Sequence, residues 1–287
     1  MTARGSVTLP CGEAVPALGL GTWRMGESAA ARRREVAAVR LALELGCRLI
    51  DTAEMYGEGG AEEVVGAALA EAFAAGTLKR EDVFVVSKLY PYNASRTGTA
   101  AACERSLRRL GLESIDLYLL HWKGSHPLSQ TMKTFEALRA AGRIRHWGVS
   151  NFDTRDMDRL WRVSGGERCA SNQVYYCAGE RGVEFNLLPW MRQRGLPLMA
   201  YCPIGQGALA RDGALQRVGA RHGLSAAQAA LAWLLRDPGV IAIPKATRPE
   251  HVREIFTLPQ GRLTAADLAD IDAALPPPAG PAPLAMI

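Results

Sequence analysis

Short apolar segments recur along almost the whole chain, and each of them ends in a polar or aromatic residue. These terminal residues are Asp51, Lys88, His121, Ser150, Gln173, Tyr201 and Lys245. Successive members of the series are 23 to 44 positions apart, which leaves room for one helix and two loops in each interval. This spacing is typical of βαβ units. It predicts a parallel α/β barrel, in which the C-terminal strand ends meet at the face that carries the active site.

The intervals between these segments show helical periodicity. In the first of them, Val36, Val39 and Leu43 have the spacing of one buried helix face, and Gly46 follows as a C-cap. The pattern predicts helices over Ala29–Leu45, Glu62–Ala74, Thr99–Leu110, Leu128–Ala141, Thr154–Val163, Phe185–Arg194, Ala214–Arg221, Ser225–Arg236 and Thr264–Leu275.

Both ends of the chain depart from the alternation of strands and helices. Residues 6–16 form two short extended pieces around a glycine turn, which predicts an N-terminal β-hairpin, and Leu18–Trp23 follows as the first barrel strand. Thr264–Leu275 predicts an extra C-terminal helix. The Pro-rich tail, about 276–287, cannot continue that helix and is expected to wrap the surface or to be mobile. Because no linker interrupts the pattern, residues 1–287 are interpreted as one barrel domain.

Composition narrows the class of protein. Apolar residues make up 48% of the 287 positions and charged residues 22%, as in ordinary globular proteins. No apolar run of transmembrane length occurs, and the N-terminus lacks the features of a signal peptide, so a cytoplasmic protein without a membrane partner is expected. The net charge of +5 is modest, and the arginine clusters are interpreted as solvated helix faces, not as a nucleic-acid surface. The six cysteines show no CxxC motif or zinc spacing, so reduced thiols and no metal site are expected.

Four residues near the ends of the early strands suit proton transfer to a carbonyl oxygen. A tyrosine hydroxyl has a pKa near 10, and a neighbouring ammonium group favours the phenolate and lowers that pKa. Lys88 is placed to act in this way on Tyr56, with Asp51 holding the lysine and His121 aligning the carbonyl. This constellation indicates a carbonyl reduction with Tyr56 as the general acid.

The later strand ends suit a nicotinamide cofactor. Ser150, Asn151 and Gln173 match the hydrogen-bonding pattern of a carboxamide, and Tyr201 offers a ring face for stacking. Lys245 and Arg248 follow the last strand, where barrel enzymes often bind phosphate.

The chain resembles the aldo-keto reductase family from the hairpin to about residue 275. The motifs that carry the resemblance are Cys47-Arg48-Leu49-Ile50-Asp51-Thr52-Ala53 with Tyr56, Val86-Ser87-Lys88, Leu119-Leu120-His121-Trp122, Gly148-Val149-Ser150-Asn151-Phe152, Asn172-Gln173, Ala200-Tyr201-Cys202-Pro203 and Ile243-Pro244-Lys245. The resemblance implies a (β/α)8 barrel, a catalytic tetrad of Asp51, Tyr56, Lys88 and His121, and NADPH as the hydride donor. It extends the expected cofactor contacts to Gly21, Thr22, Trp23, Pro203, Gly205, Ala246, Thr247, His251 and Glu254. A monomer is expected on the same resemblance.

Departures from the family pattern bear on the cofactor. Relatives that prefer NADPH commonly carry arginine where His251 stands, serine at Ala246 and asparagine at Ile255. Arginine binds a phosphate through two hydrogen bonds and is always charged, whereas histidine at neutral pH mostly is not. NADPH is expected ahead of NADH, and Arg248 is the candidate replacement for the missing arginine.

The sequence leaves more than one substrate class and more than one function open. Trp23, Met55, Tyr90 and Trp122 are expected to form an aromatic and apolar substrate pocket. The short loop after His121 and the short tail favour a shallow, open pocket for small aldehydes, dicarbonyls and ketones. The alternatives to a reductase are a Schiff-base aldolase with Lys88 as the nucleophile and a weakly catalytic, nucleotide-sensing barrel.

Overall fold

Ten strands form a small hairpin and a large parallel sheet in the computed structural model, which describes residues 5–259 and 263–287. The strands are β1 (Ser6–Thr8), β2 (Ala14–Pro16), β3 (Leu20–Gly21), β4 (Leu49–Asp51), β5 (Phe84–Leu89), β6 (Ile115–Leu120), β7 (Ile144–Ser150), β8 (Asn172–Tyr175), β9 (Leu198–Tyr201) and β10 (Val240–Ile243). The strands from β3 to β10 pair in chain order, each parallel to its neighbours.

The sheet closes into a barrel between its first and last strands. Isolated parallel bridges join Leu18 to Ala242 and Gly21 to Lys245, and the Gly21 amide donates to the Pro244 carbonyl over 2.9 Å. The predicted (β/α)8 barrel is therefore confirmed.

The predicted N-terminal hairpin is confirmed as the antiparallel pair β1 and β2. Its residues Val7, Leu9 and Val15 are buried in one cluster with side chains of the barrel interior, including Phe84 and Leu117. Phe84 is the first residue of β5, so the hairpin covers the N-terminal opening of the barrel, called the barrel floor below. Ligands therefore reach the interior from the opposite end.

Ten helices accompany the strands in the described part of the chain. They are α1 (Ala29–Glu44), α2 (Gly60–Ala74), α3 (Arg96–Leu110), α4 (Leu128–Ala140), α5 (Thr154–Trp161), α6 (Leu187–Gln193), α7 (Gly213–Arg221), α8 (Ala226–Leu234), α9 (Pro249–Phe256) and α10 (Ala265–Ala274). The extra C-terminal helix α10 begins after Thr264, whose side chain forms a capping box with Asp267. None of the helices in residues 5–259 and 263–287 is long and apolar enough to cross a membrane.

Helix α9 was not predicted from the sequence. It has only eight residues, and its N-cap, Arg248, makes no side-chain capping bond, so the usual signals of a helix start are weak. Pro249 at its first position was the available signal, because proline is favoured there. The helix matters for the site because it begins directly after the phosphate-binding candidates.

The tail after α10 runs back over the barrel. The Arg181 guanidinium donates to the Leu275 carbonyl over 2.8 Å and anchors the start of the tail. Leu284 packs against the main core, and Met286 and Ile287 reach the wall of the cavity at the C-terminal strand ends. The tail wraps the surface, as expected, but it also contributes to the active-site region.

Candidate active site

A cavity of about 680 Å³ opens at the C-terminal ends of the strands. Its wall includes Asp51 at the end of β4, Ser150 at the end of β7 and Tyr201 at the end of β9. The convergence of polar side chains that the strand spacing predicted is present here, and this space is called the active-site cavity below.

A buried ion pair lies beneath one side of this cavity. Lys88 has no exposed surface and Asp51 is almost fully buried. The Lys88 ammonium donates to Asp51 Oδ2 over 2.7 Å, to the Thr52 carbonyl over 3.0 Å and to Tyr56 Oη over 3.1 Å. The second carboxylate oxygen of Asp51 accepts from Gln173 Nε2 over 2.7 Å. All three ammonium donors are thus used, and the lysine holds the tyrosine oxygen at the edge of the cavity.

The protonation of Tyr56 differs from the sequence-based expectation. Burial and the negative charge of Asp51 raise the pKa of Tyr56 well above its ordinary value of 10.0. The sequence-based expectation of a lowered pKa is therefore not met, because burial and the Asp51 charge outweigh the stabilisation of the phenolate by the Lys88 ammonium 3.1 Å away. Burial also disfavours both members of the ion pair, raising the pKa of Asp51 and lowering that of Lys88, while their attraction opposes both shifts. The tyrosine is consequently held in its protonated, proton-donating form.

His121 lies beside the tyrosine as a neutral imidazole. Burial and the charge of Lys88 lower the pKa of His121 well below its ordinary value of 6.5. Its ring packs edge-on against Tyr56, with centroids 5.6 Å apart, and its buried Nδ1 has no hydrogen-bond partner within the described residues. An uncharged imidazole in the cavity wall can hydrogen-bond to a ligand oxygen without adding charge.

Amide and hydroxyl groups at the ends of the later strands also line the cavity. Ser150 Oγ donates to the Gln173 carbonyl over 2.8 Å, and Asn151 Nδ2 donates to the His121 carbonyl over 3.1 Å. Tyr201 Oη donates to Asn151 Oδ1 over 3.0 Å, and the Tyr201 ring stacks on Tyr175 at 5.7 Å with an interplanar angle of 12°. The network fixes a flat aromatic face next to a set of amide groups.

A basic corner lies where β10 leads into α9. Lys245 and His251 line the cavity, and burial lowers the pKa of Lys245. Arg248 lies beside the cavity wall, where its Nη2 is 2.7 Å from His251 Nε2. The N-terminus of α9 carries partial positive charge, so this corner favours an anion.

The remaining wall is aromatic and apolar. Trp23, Met55 and Trp122 line the cavity, and Tyr90 lies behind them with its ring edge-on to Trp122 at 5.2 Å. Met286 and Ile287 of the tail also line the cavity, so the tail reaches the active-site region despite its short length.

Glu54 lies in the loop between Asp51 and Tyr56. Its side chain is buried and accepts from the Tyr90 amide over 2.8 Å, from Asn93 Nδ2 over 3.0 Å and from Arg105 Nη2 over 3.2 Å. It therefore ties the loop that carries Tyr56 to the loop after β5 and to α3.

The structure brings most of the predicted site residues to the cavity wall. These are Gly21, Trp23, Asp51, Met55, Tyr56, His121, Trp122, Ser150, Asn151, Gln173, Tyr201, Pro203, Lys245, His251 and Glu254. Seven predicted residues do not line it: Thr22, Lys88, Tyr90, Gly205, Ala246, Thr247 and Arg248. Thr22 is buried, with its hydroxyl donating to the Asp51 carbonyl over 2.9 Å, and Ala246 is buried as well.

Sequence reasoning missed several cavity residues. They include Arg24, Ile204, Gln206, Gly207, Ala210, Ala227, Met286 and Ile287. Gln206 and Gly207 lie in the loop after β9, next to the predicted Pro203 and Gly205, so an extension of that motif was the available signal. No local signal connects the tail to the cavity, because tail and cavity meet only through the tertiary fold.

Comparison with known proteins identifies the family. A model of the Aldo/keto reductase family matches residues 17–276. Methylglyoxal reductase YeaE from Escherichia coli is 49% identical over 278 residues, which cover 95% of each protein. Glyoxal reductase from Bacillus subtilis is 32% identical over 270 residues, covering 94% of this chain and 92% of that protein.

Solved structures agree with this relationship. An aldo-keto reductase from Klebsiella pneumoniae, crystallised in complex with NADPH, superposes with a TM-score of 0.93 at 46% identity and covers all of both chains. With the family model matching most of the chain and the barrel closed around the predicted strand ends, the protein belongs to the aldo/keto reductase family.

Proposed function

We propose that the protein reduces small aldehydes and α-dicarbonyl compounds to alcohols, with NADPH as the hydride donor and Tyr56 as the proton donor. The observation that carries the proposal is the contact chain from Asp51 through Lys88 to the Tyr56 oxygen, with separations of 2.7 and 3.1 Å at the cavity edge. Such a chain delivers one proton and stabilises the negative charge that remains.

Tyr56, Lys88, Asp51 and His121 have different roles in the proposed proton transfer. Because the Lys88 ammonium donates to Tyr56 Oη, the tyrosine keeps its own hydrogen for the carbonyl oxygen of the substrate. The lysine charge then stabilises the phenolate, and Asp51 keeps the lysine charged and in place. We assign to the neutral His121 the alignment of the carbonyl oxygen through a hydrogen bond. Bound NADPH supplies the hydride that adds to the carbonyl carbon.

The cavity offers matching groups for each part of that cofactor. The Tyr201 ring, backed by Tyr175, suits stacking of the nicotinamide, and Ser150, Asn151 and Gln173 suit its carboxamide. Lys245, Arg248 and His251 at the start of α9 suit the 2′-phosphate that distinguishes NADPH from NADH. Support also comes from the Klebsiella reductase, whose crystals contain NADPH.

The substrate proposal rests on the walls of the cavity and on the relatives. Trp23, Met55 and Trp122 provide apolar contact next to the proton donor, and Met286 and Ile287 of the tail also line the cavity. Two relatives are named methylglyoxal reductase and glyoxal reductase, and these names support substrates with two adjacent carbonyl groups.

The environment of Lys88 argues against the Schiff-base aldolase. A Schiff-base nucleophile must be a neutral amine with access to the substrate. The Lys88 side chain is fully buried, and its ammonium is bonded to Asp51, Thr52 and Tyr56. Measurement of turnover in the experiment below distinguishes a reductase from a nucleotide-sensing protein.

The proposed location and assembly are those expected from the sequence. We infer a cytoplasmic monomer, and the six cysteines, which are scattered in the sequence without a disulfide-framework pattern, support a reducing compartment. Size-exclusion chromatography with light scattering tests the monomer, and localisation of the protein in fractionated cells tests the compartment.

The first test follows NADPH absorbance with methylglyoxal, glyoxal, a simple aldehyde and a simple ketone. We expect turnover with all aldehyde substrates and the highest kcat/KM with methylglyoxal. Tight NADPH binding without turnover on any substrate would favour a nucleotide-sensing protein, and a preference for the simple ketone would contradict the dicarbonyl assignment.

Replacement of Arg248 by alanine tests the phosphate corner. Loss of one charged phosphate contact is expected to raise the Kd for NADPH about tenfold and to leave the Kd for NADH within about twofold. Fluorescence titration measures both constants. Arg253→Ala is the matched control, because Arg253 is an exposed arginine of the same helix. An unchanged NADPH Kd in Arg248→Ala would remove this residue from the cofactor site.

The raised pKa of Tyr56 predicts the pH dependence. Since the donor stays protonated far above neutrality, kcat/KM for reduction should be flat from about pH 6 to about pH 9. Alcohol oxidation requires the phenolate as proton acceptor and should rise with pH over the same range. The lowered pKa of His121 predicts no loss of activity near pH 6.5 on the acid side. A reduction rate that falls with an apparent pKa of about 7–8 would instead mean that Lys88 lowers the tyrosine pKa.

A further inference from the structure

The hairpin turn brings a thiol, a carboxylate and an imidazole together on the barrel floor. One ligand atom from each of Cys11, Glu13 and His146 lies within 4.8 Å of the other two. His146 Nε2 is already 2.8 Å from Glu13 Oε2. We propose that this cluster is a binding site for a thiol-preferring divalent transition-metal ion, with Zn²⁺ as the best match.

The ligand set and its spacing suit tetrahedral zinc. Zinc binds cysteine sulfur at about 2.3 Å and histidine nitrogen or carboxylate oxygen at about 2.0 Å, which places the ligand atoms of a tetrahedral site with one sulfur about 3.3–3.5 Å apart. The three ligand atoms lie within 4.8 Å of one another, so no separation exceeds its tetrahedral value by more than about 1.5 Å. Cys11 is exposed on the hairpin turn, so a small movement of that turn and a water molecule in the fourth position complete the coordination. On binding, the thiol releases its proton to solvent.

Neighbouring side chains already orient two of the three ligands. The Arg145 guanidinium donates to both carboxylate oxygens of Glu13 over 2.7 Å and to Asp116 Oδ1 over 2.8 Å. A metal ion on Glu13 Oε2 leaves Oε1 to Arg145, and Asp116 shares the guanidinium charge that would otherwise repel the cation. The Phe84 ring stacks on His146 at 6.4 Å with an interplanar angle of 18°. Supporting contacts of this kind fix ligand orientation at metal sites.

The position of the cluster indicates a structural role. It lies at the opposite end of the barrel from the active-site cavity, and it joins the hairpin turn to β7. Cys11 and His146 are far apart in sequence, so the spacing patterns that report zinc motifs could not reveal them. A metal ion here would fasten the hairpin over the barrel floor.

Titration of the untagged wild-type protein with Co²⁺ tests the site directly. We expect one equivalent to produce the visible bands of tetrahedral Co²⁺ and a near-ultraviolet thiolate-to-cobalt band, both removed by one equivalent of Zn²⁺. Cys11→Ser should lose the thiolate band, and His146→Gln should weaken metal binding by roughly tenfold or more.

Two matched variants and a second readout complete the test. Cys202→Ser and His126→Gln should bind metal as the wild type does, since both residues lie outside the cluster. Zn²⁺ should raise the Tm of the wild type but not that of Cys11→Ser. Absence of the thiolate band in the wild type, its persistence in Cys11→Ser or its loss in Cys202→Ser would each overturn the proposal.

Discussion

Replacement of Tyr56 by phenylalanine is expected to lower kcat for carbonyl reduction by about 10²–10⁴-fold, the usual contribution of a general acid. The change removes only the hydroxyl that receives the 3.1 Å hydrogen bond from Lys88, and the lysine keeps Asp51 and the Thr52 carbonyl as partners. The ion pair and the cofactor side of the cavity therefore remain intact, and the Kd for NADPH should change less than about twofold. Steady-state kinetics and fluorescence titration measure the two quantities.

The control for this variant is Tyr92→Phe. Tyr92 is 77% exposed and contacts Tyr90, with ring centroids 5.0 Å apart, so removal of its hydroxyl should leave kcat unchanged. If Tyr56→Phe retained more than about a tenth of the wild-type kcat, the proton would have to come from another group, and the assignment of Tyr56 as the acid would be wrong.

The second large effect concerns stability. Lys88→Met leaves the Asp51 carboxylate buried without its cation, which is expected to lower the free energy of unfolding by about 3–5 kcal/mol. The double variant Asp51→Asn/Lys88→Met removes both charges and should recover most of this loss, since an uncharged pair has no unpaired ion to bury. Both variants should be nearly inactive, because neither can stabilise the tyrosine phenolate. Urea denaturation followed by fluorescence measures the unfolding free energies.

An exposed ion pair provides the comparison. Arg32 and Glu63 are separated by 2.6 Å, with about half of each side chain exposed, so Arg32→Met should cost no more than about 1 kcal/mol. A loss of similar size in Lys88→Met would mean that water reaches Asp51 and that the pair is not the buried element described above.

The strand ends were predictable because each closes a short apolar segment, and these segments recur at intervals that hold one helix and two loops. The spacing placed Lys88 and Asp51 at neighbouring strand ends, and their expected pairing is present in the structure at 2.7 Å. The barrel was predictable for the same reason, since strand-like segments separated by helices recur from the first strand to the last.

Features that depend on tertiary contacts were not predictable in this way. Nothing in the sequence near Glu54 shows that α3 and the loop after β5 enclose its side chain. The link between Gln173 and Asp51 spans 122 positions. The high pKa of Tyr56 also follows from burial, which a charge-pair argument from sequence leaves out.

The path of the tail has a practical consequence for protein production. A purification tag added after Ile287 would begin at the wall of the active-site cavity, beside Tyr201 and the proposed nicotinamide position. The hairpin, which begins at Ser6, lies at the barrel floor, on the opposite side of the molecule. Assays of substrate range should therefore use an N-terminal, cleavable tag, because a C-terminal fusion would alter the cavity whose selectivity is being measured.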